Sequence, residues 1–399
     1  MRSEVAEILT GRPVHVIAAG KAAAAMASAF LAVRHLQVQQ ALAIGTHTHP
    51  DLPTSVEWIE SSHPFPDARS QVAGERAIAL AQRVHSGDAL VILLSGGASA
   101  LMAAPIDGIS LADKIETTKL MMATGADIHA LNTVRRHLSK VKGGRLAAAC
   151  VGTTVTLAIS DVVGDDLNAI GSGPGVPDAT TWADAAAALE RFGGDAHLSE
   201  VRHVLARGAA GAIPDTPKPG DALLKRSQAR VIGSRTDAMD GARQAALARG
   251  YHPVVIAEPV TGDAREMAPR WLARVQELTR GTPRPACVIS SGETTVRVTG
   301  KGRGGRNLEF ALALAQSVAS PNATAMASIG TDGIDGTSGV AGGIVDSTTM
   351  VRAAALGLDA PGNYLAANDS LAFFAPLDDL VRLGRTDTNV GDLQVILID

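Results

Sequence analysis

Three cations, Lys301, Arg303 and Arg306, are interleaved with Gly300, Gly302, Gly304 and Gly305 just ahead of an apolar helical stripe. Glycines leave backbone N–H groups uncovered and a helix start is electropositive, so a loop of this kind is built to hold an anion. The strand leading into it is read as Ala286 to Ile289, with the turn beginning at Ser290 and Asn307 as N-cap, followed by Glu309. Gly300 to Gly305 also satisfies G-x-G-x-x-G, so the same loop poses a choice between hydride transfer on a dinucleotide and phosphoryl transfer.

Other turns carry matching groups. Gly20-Lys21 opens a helix expected over 22–36, and a lysine in a first turn is disfavoured unless an anion shares the helix end. Ser95-Gly96-Gly97-Ala98-Ser99 offers two glycines and two hydroxyls, resembling a phosphate cradle but lacking the Walker Gly-Lys-Ser/Thr ending. Asp161, with Asp165 and Asp166, and Asp332, with Asp335, stand among glycines after two further apolar runs. Carboxylates so placed either hold hydrated Mg²⁺ or close Asx turns. Between Asp127 and Gly144, a helix would bring Arg135, Ser139 and Lys142 together and leave Arg136 and Lys140 on a neighbouring stripe, although charge runs more commonly mark a solvated face.

Turns this far apart in the chain need a frame to unite them. Short Val, Ile and Leu runs at 14–18, 41–45, 89–94, 154–159, 229–232, 253–257, 286–289, 324–329 and 393–398 alternate with helical patterns. The alternation predicts parallel sheets with helices on both faces, in which ligands bind beyond the carboxyl ends of the strands. The 399 residues, 46% hydrophobic, are expected to form two domains, 1–225 and 226–399, with the proline-rich Ile213 to Asp221 as linker. A net charge of −4 and 3% aromatic residues exclude a basic stacking surface for nucleic acid. Cys150 and Cys287 offer no disulfide framework or Cys-based metal site. With no signal peptide and no apolar run that would span a bilayer, a cytoplasmic protein without a membrane partner is expected.

The motifs form an ordered series. Gly20-Lys-Ala-Ala23, His63-Pro-Phe-Pro-Asp67, Leu94-Ser-Gly-Gly-Ala-Ser-Ala-Leu101, Asn132-Thr-Val-Arg-Arg-His-Leu-Ser139 with Lys142-Gly-Gly144, and Ser160-Asp-Val-Val-Gly-Asp165 fill the first half. Gly171-Ser-Gly-Pro174, Ser291-Gly-Glu293, Gly304-Gly-Arg-Asn-Leu-Glu309, Gly330-Thr-Asp-Gly333 with Asp335-Gly336, and Thr388-Asn-Val-Gly-Asp392 complete it. The chain resembles the type II glycerate 2-kinases, whose carboxyl-terminal half is called the MOFRL domain. The resemblance implies a larger Rossmann-like α/β/α sandwich with a mostly parallel sheet and a smaller α/β MOFRL domain, with the active site in the cleft between them. It further implies ATP-dependent phosphorylation of D-glycerate at its 2-hydroxyl, with Mg²⁺ as cofactor, and leaves a homodimer open.

Family members are thought to use a lysine and an arginine, which fall here on Lys21 and Arg306. Either one neutralises the transferring phosphoryl group or anchors the glycerate carboxylate. Ser95, Gly96, Gly97 and Ser99 are then expected to cradle a phosphate or the substrate carboxylate, joined by Asn132, Arg135, Lys142, Gly304 and Gly305. Asp161 or Asp332 is expected to hold Mg²⁺ or to accept the hydroxyl proton, and Glu293 is a third acidic candidate. His63 and His137 are read as structural or substrate hydrogen-bonding groups, because no second histidine stands at zinc-site spacing.

The sequence departs from the family pattern in three places. Ala98 replaces a glycine common there, and Arg385 and Asp387 replace uncharged residues in a segment expected near the site, so substrate preference is expected to shift. The first strand begins close to Met1, where relatives usually carry extra helix, so a thinner outer layer of the first domain is expected. Two other functions compete. An NAD(P)H-dependent hydroxypyruvate reductase would use Gly300 to Gly305, but the preceding Thr294 to Thr299 alternates polar and apolar residues, and no acidic residue follows Glu309 before Met326 to take the ribose. A non-catalytic sugar-acid sensor has little need of separate acidic and basic clusters.

Overall fold

The computed structural model describes residues 3–48, 51–318 and 324–399. The chain divides into two compact units, Met1–Ile232 and Gly233–Asp399.

The first unit is built on β1 (Pro13–Ala19), β2 (Gln37–Gly45), β3 (Glu57–Glu60), β4 (Ala89–Leu94), β5 (Thr153–Ile159) and β6 (Ser227–Gly233), ordered 3-2-1-4-5-6. The pairs β1/β2, β1/β4, β2/β3 and β4/β5 are parallel, as the alternation of runs predicts. Every residue of β4 is buried, the condition of a strand covered on both faces. Val14, Val16, Ala18, Val91 and Leu93 belong to one core cluster, whereas Ile17, Ala19, Leu90, Ile92 and Leu94 belong to another. That is the period-2 division of side chains between two sheet faces. The helix Ala23–Leu31 packs on the first face, and Ala68–Arg83 covers the second through Ala73, Ala77 and Ala81. The former stops short of residue 36 because β2 begins at Gln37, paired with Pro13. A third cluster joins the helices Leu111–Ala123, Ile128–His137, Trp182–Arg191 and Ser199–Ala209 around Met121, Val134, Trp182 and Val201.

The segment expected as a linker is instead tied down. Asp215 Oδ1 lies 3.0 Å from His137 Nε2 and 3.0 Å from Lys218 Nζ, Thr216 Oγ1 donates to Asp178 at 3.1 Å, and Asp178 N donates to Pro217 O at 2.8 Å. Prolines remove donors but leave carbonyls, and here the carbonyls and flanking polar side chains supply the anchors.

The second unit holds β7 (His252–Val255), β8 (Val260–Asp263), β9 (Ala286–Thr295), β10 (Thr324–Gly330), β11 (Gly342–Asp346), β12 (Leu380–Val381) and β13 (Asp392–Ile398). The path runs 12-11-10-13-9-7, with β8 also paired to β9. This sheet is mixed, which corrects the expectation of parallel sheets throughout. β10/β11, β10/β13, β13/β9 and β11/β12 are antiparallel, while β7 and β8 run parallel to β9. Parallel neighbours need a helical crossover. Residues 331–341 provide none, so β11 folds straight back on β10.

The turn expected at Ser290 is also absent, because β9 runs on to Thr295. β13 pairs with it through Gly292 and β8 from Gly292 onward. The hydroxyls that suggested a turn are consumed inside the sheet, Ser290 Oγ donating to Gln394 at 3.1 Å and Ser291 Oγ to Asp392 O at 2.6 Å. Across this sheet lies the helix Arg306–Val318, whose Leu308, Phe310, Ala311, Leu312 and Leu314 are the centre of the unit's core.

Candidate functional site

At the carboxyl ends of β1, β4 and β5 the first unit brings together Lys21, Gly96, Gly97, Asp161 and His63. Gly20, at φ +132°, donates its N–H to Ile44 O at 3.1 Å, and Lys21 N donates to Gly96 O at 2.9 Å. Ser95 Oγ, fully buried, accepts the N–H of Ala22 at 3.0 Å. The Ser95 hydroxyl therefore secures the turn after Lys21, a different task from the phosphate contact expected of it. A side chain at Gly96 would collide with the Asp161 carboxylate, and a Cβ at Gly97 would approach the His63 ring to 3.0 Å. Glycine is required there because the Asp161 and His63 side chains press on the backbone. Burial first, and the charge of Lys21 second, pull the His63 imidazole below its usual range.

Beside this turn lies a cavity of about 220 Å³ whose lining includes His63, Gly97, Ser99, Lys114, Arg135 and Lys142. Arg135 and Lys142 thus line one cavity, but not through the helical spacing expected, because the helix Ile128–His137 ends before Ser139 and Lys142. Lys142 Nζ donates to Ser99 O at 2.7 Å. The Ser99 hydroxyl lies 3.0 Å from that of Ser172, which in turn donates to Asn132 Oδ1 at 3.3 Å, so Ser99 and Asn132 share one polar network. The solvated-face reading fits only Lys140, paired with exposed Asp107. Arg136 is buried against Asp178 at 3.1 Å, and His137, fully buried, packs edge-on to Trp182. Sequence reasoning missed Lys114, whose only signal was its place with Thr117 and Met121 on the buried stripe of Leu111–Ala123.

In the second unit Arg306 is the first residue of its helix and its guanidinium is held by carboxylates. Nε donates to Asp392 at 2.6 Å, and Glu293 lies 3.5 Å from Nη1. Burial works against the charge, but Asp392, Glu293 and Asp335 more than offset it and raise the guanidinium's pKa. Asn307 is not the N-cap. Its amide donates to Asp392 Oδ1 at 2.9 Å and its Oδ1 accepts from Ser328 at 2.7 Å, while Asp335 accepts the backbone N–H groups of Asn307 and Leu308. The cap comes from 28 residues away in sequence.

The glycine loop is the main correction. Several of its N–H groups are engaged within the chain: Thr299 and Gly300 donate to Asn368 Oδ1, each at 2.8 Å, and Gly302 donates to Ala367 O at 3.0 Å. Arg303 donates to Asp369 at 3.0 Å and Gly304 to Thr337 Oγ1 at 3.3 Å. A side chain at Gly300 would strike Ala367 O, and one at Gly305 would strike Asp335. Gly304 and Gly305 thus serve close chain packing, and the N–H of Gly304, expected on a phosphate, is spent on Thr337. Asp332 Oδ1 accepts the N–H of Ile334 at 3.1 Å, which is the Asx-turn alternative. Among the described residues, no three His, Cys, Asp or Glu side chains group as a metal site. No helix among them is long and apolar enough to cross a membrane.

Two measurable consequences follow from this packing. Gly300→Ala should lower stability to urea by ~1–3 kcal/mol through overpacking and leave the KM for nucleotide unchanged. A raised KM with normal stability would restore the loop to an anion site. Asp335 is raised from an ordinary 3.8 to about 6, by burial first, partly countered by the N–H groups it accepts. The native state therefore holds this proton more tightly than the unfolded chain. Its stabilising contribution is full below about pH 3.8 and is lost as pH rises through about 6. Asp335→Asn should flatten the stability profile over that window relative to the parent protein, and an unchanged profile would refute the assignment.

Taken together, fold and turns define a two-unit α/β protein whose first unit gathers Lys21, a glycine turn and a cavity lined by Lys114, Arg135 and Lys142 at its strand ends. Residues 2–206 match a domain of unknown function, DUF4147, and residues 286–392 match the MOFRL family. The chain belongs to the family that joins these two domains. It is 36% identical to a D-glycerate 2-kinase of Thermotoga maritima over 391 residues, covering 96% of this chain and 90% of that protein. An Agrobacterium vitis protein, provisionally named hydroxypyruvate reductase, is 40% identical over 390 residues, 96% of this chain and 86% of its own. A crystal structure of glycerate kinase from Thermotoga maritima superposes with a TM-score of 0.88 at 35% identity, covering 97% of this chain and 92% of that one.

Proposed function

We propose that this protein transfers the γ-phosphoryl group of ATP to the 2-hydroxyl of D-glycerate, giving 2-phosphoglycerate and ADP. The observation that carries the reading is the meeting of Lys21, the Gly96 backbone and Asp161 at one end of a parallel sheet, in a chain related to D-glycerate 2-kinases. Phosphoryl transfer asks the protein mainly to position reactants and to neutralise charge on the equatorial oxygens. Lys21 supplies a cation on a backbone fixed by Gly96 O, and Arg306 supplies a second, kept charged by Asp392. Asp161 is the carboxylate that would hold Mg²⁺ brought with the nucleotide. A single carboxylate suits an ion that takes most of its ligands from water and phosphate. When bound, Mg²⁺ neutralises charge on the phosphates.

Hydroxypyruvate reduction is the second reading, and the name of the Agrobacterium vitis relative favours it. Against it stands the geometry of Gly300 to Gly305, where the N–H groups of Gly300, Gly302 and Gly304 are already donated within the chain. Incubation with Mg-ATP and D-glycerate should release ADP and give a product that enolase consumes directly, since enolase acts on the 2-phosphate alone. Absence of ADP together with NADH oxidation by hydroxypyruvate would reverse the assignment.

A further inference from the structure

The cavity beside Gly97 carries three basic side chains and no acidic one. Lys114 is 6% exposed, and its Nζ finds no hydrogen-bond partner. Lys142 is 2% exposed and donates to a neutral carbonyl. Arg135 forms no ion pair among the described residues. Burying an ammonium group without a counter-charge costs several kcal/mol, and folds usually supply a carboxylate. This fold does so one residue further on, where Arg136 faces Asp178. The three cations lining the cavity have none.

Size and shape narrow what completes the site. At about 220 Å³ the space is smaller than the roughly 300 Å³ at which drug-sized pockets begin, so it suits an acid of a few carbons rather than a nucleotide. A guanidinium fork matches a planar carboxylate. The hydroxyls of Ser99 and Thr118 line the same space and can meet hydroxyls on the ligand. His63, which also lines the cavity, feels the charge of Lys21, the lysine of the proposed reaction.

We propose that Lys114, Arg135 and Lys142 bind the carboxylate of the acceptor, a short 2-hydroxy acid, and that Lys114 makes the site demand an acid rather than a neutral polyol. The direction of transfer rests on the kinase reading, while the binding does not. Burial first and the charge of Arg135 second bring the Lys114 ammonium down to about 7, and burial followed by Lys114 and Arg135 lowers Lys142 well below its usual range. The groups facing Lys114 are Arg135, Lys142 and His63. The packed helix Ser199–Ala209 presents Val201, Val204 and Leu205 and keeps its charges outside. A bound carboxylate must raise the Lys114 pKa and draw in a proton.

Calorimetry on the full chain without nucleotide tests this, using D-glycerate, glycerol and inorganic phosphate as probes at pH 8. D-glycerate should bind with an enthalpy that varies with the ionisation enthalpy of the buffer, and glycerol should give no heat. Lys114→Met should weaken D-glycerate ~30- to 100-fold, reduce the buffer dependence, and raise the KM for glycerate far more than the KM for ATP. Since the variant removes a buried polar group that has no hydrogen-bond partner, its melting temperature without ligand should equal or exceed that of the parent. Lys114→Gln serves as a second variant of similar length, with the same expected losses. Unchanged glycerate affinity in both variants would overturn the proposal, and so would phosphate competing for the cavity with the same proton uptake. If the parent binds D-glycerate with proton uptake yet releases no ADP, the cavity assignment stands and the kinase reading fails.

Discussion

Lys21→Ala should lower glycerate-dependent ADP release by ~10³-fold, the scale on which a preorganised cation or oxyanion donor acts in group transfer. Its melting temperature should stay within a few degrees of the parent value. The turn is held by backbone and by Ser95: Lys21 N donates to Gly96 O, and Ala22 N to Ser95 Oγ, whatever the side chain at 21. Loss of the ammonium removes charge from the strand ends and leaves those backbone hydrogen bonds in place. Lys21→Arg should recover only part of the rate, since a planar fork does not place its charge where an ammonium did. A Lys21→Ala enzyme turning over at near-normal rate would take the residue out of the chemistry altogether.

The second large effect belongs to Arg306, and it is of two kinds. Asp392 is fully buried and accepts from both Arg306 Nε and Asn307 Nδ2. Arg306→Ala leaves that carboxylate without its cation, which should cost ~3–5 kcal/mol of stability to urea in addition to most of the turnover. The two losses can be separated by pairing Arg306→Ala with Asp392→Asn. The double variant should regain most of the stability, because the buried charge is gone, and should still fail in ADP release. If it regained the rate as well, Arg306 would be a prop for Asp392 and nothing more.

How much of this was readable from the chain varies with the range of the contacts involved. The runs that became β1, β4 and β5 were legible because a strand covered on both faces writes its burial into consecutive residues. Arg135 and Lys142 line one cavity although the helix expected to carry both ends at His137, so spacing along a helix is not what unites them. The glycine loop was misread because Gly300, Gly302, Gly304 and Gly305 report that something approaches the backbone and do not name it. The approaching groups are Ala367 to Ser370, Thr337 and Asp335, all remote in sequence. Ser95 was misread for a similar reason, as a hydroxyl beside glycines suits a ligand and a neighbouring turn equally well. Lys114 carried no motif. Its burial arises from helices packing around Met121 and Val134, which residue types on one helix do not specify.

The strand β6 closes the edge of the first sheet, and it is the last element before the second unit begins. Thr154 N already reaches Arg226 O at 3.0 Å just ahead of it. Anyone recombining halves of related proteins at residue 225 would therefore cut upstream of a strand that the upstream half needs. Such chimaeras would display a raw edge along β5 and stick to one another, whereas a seam placed after Gly233 passes the whole sheet on intact.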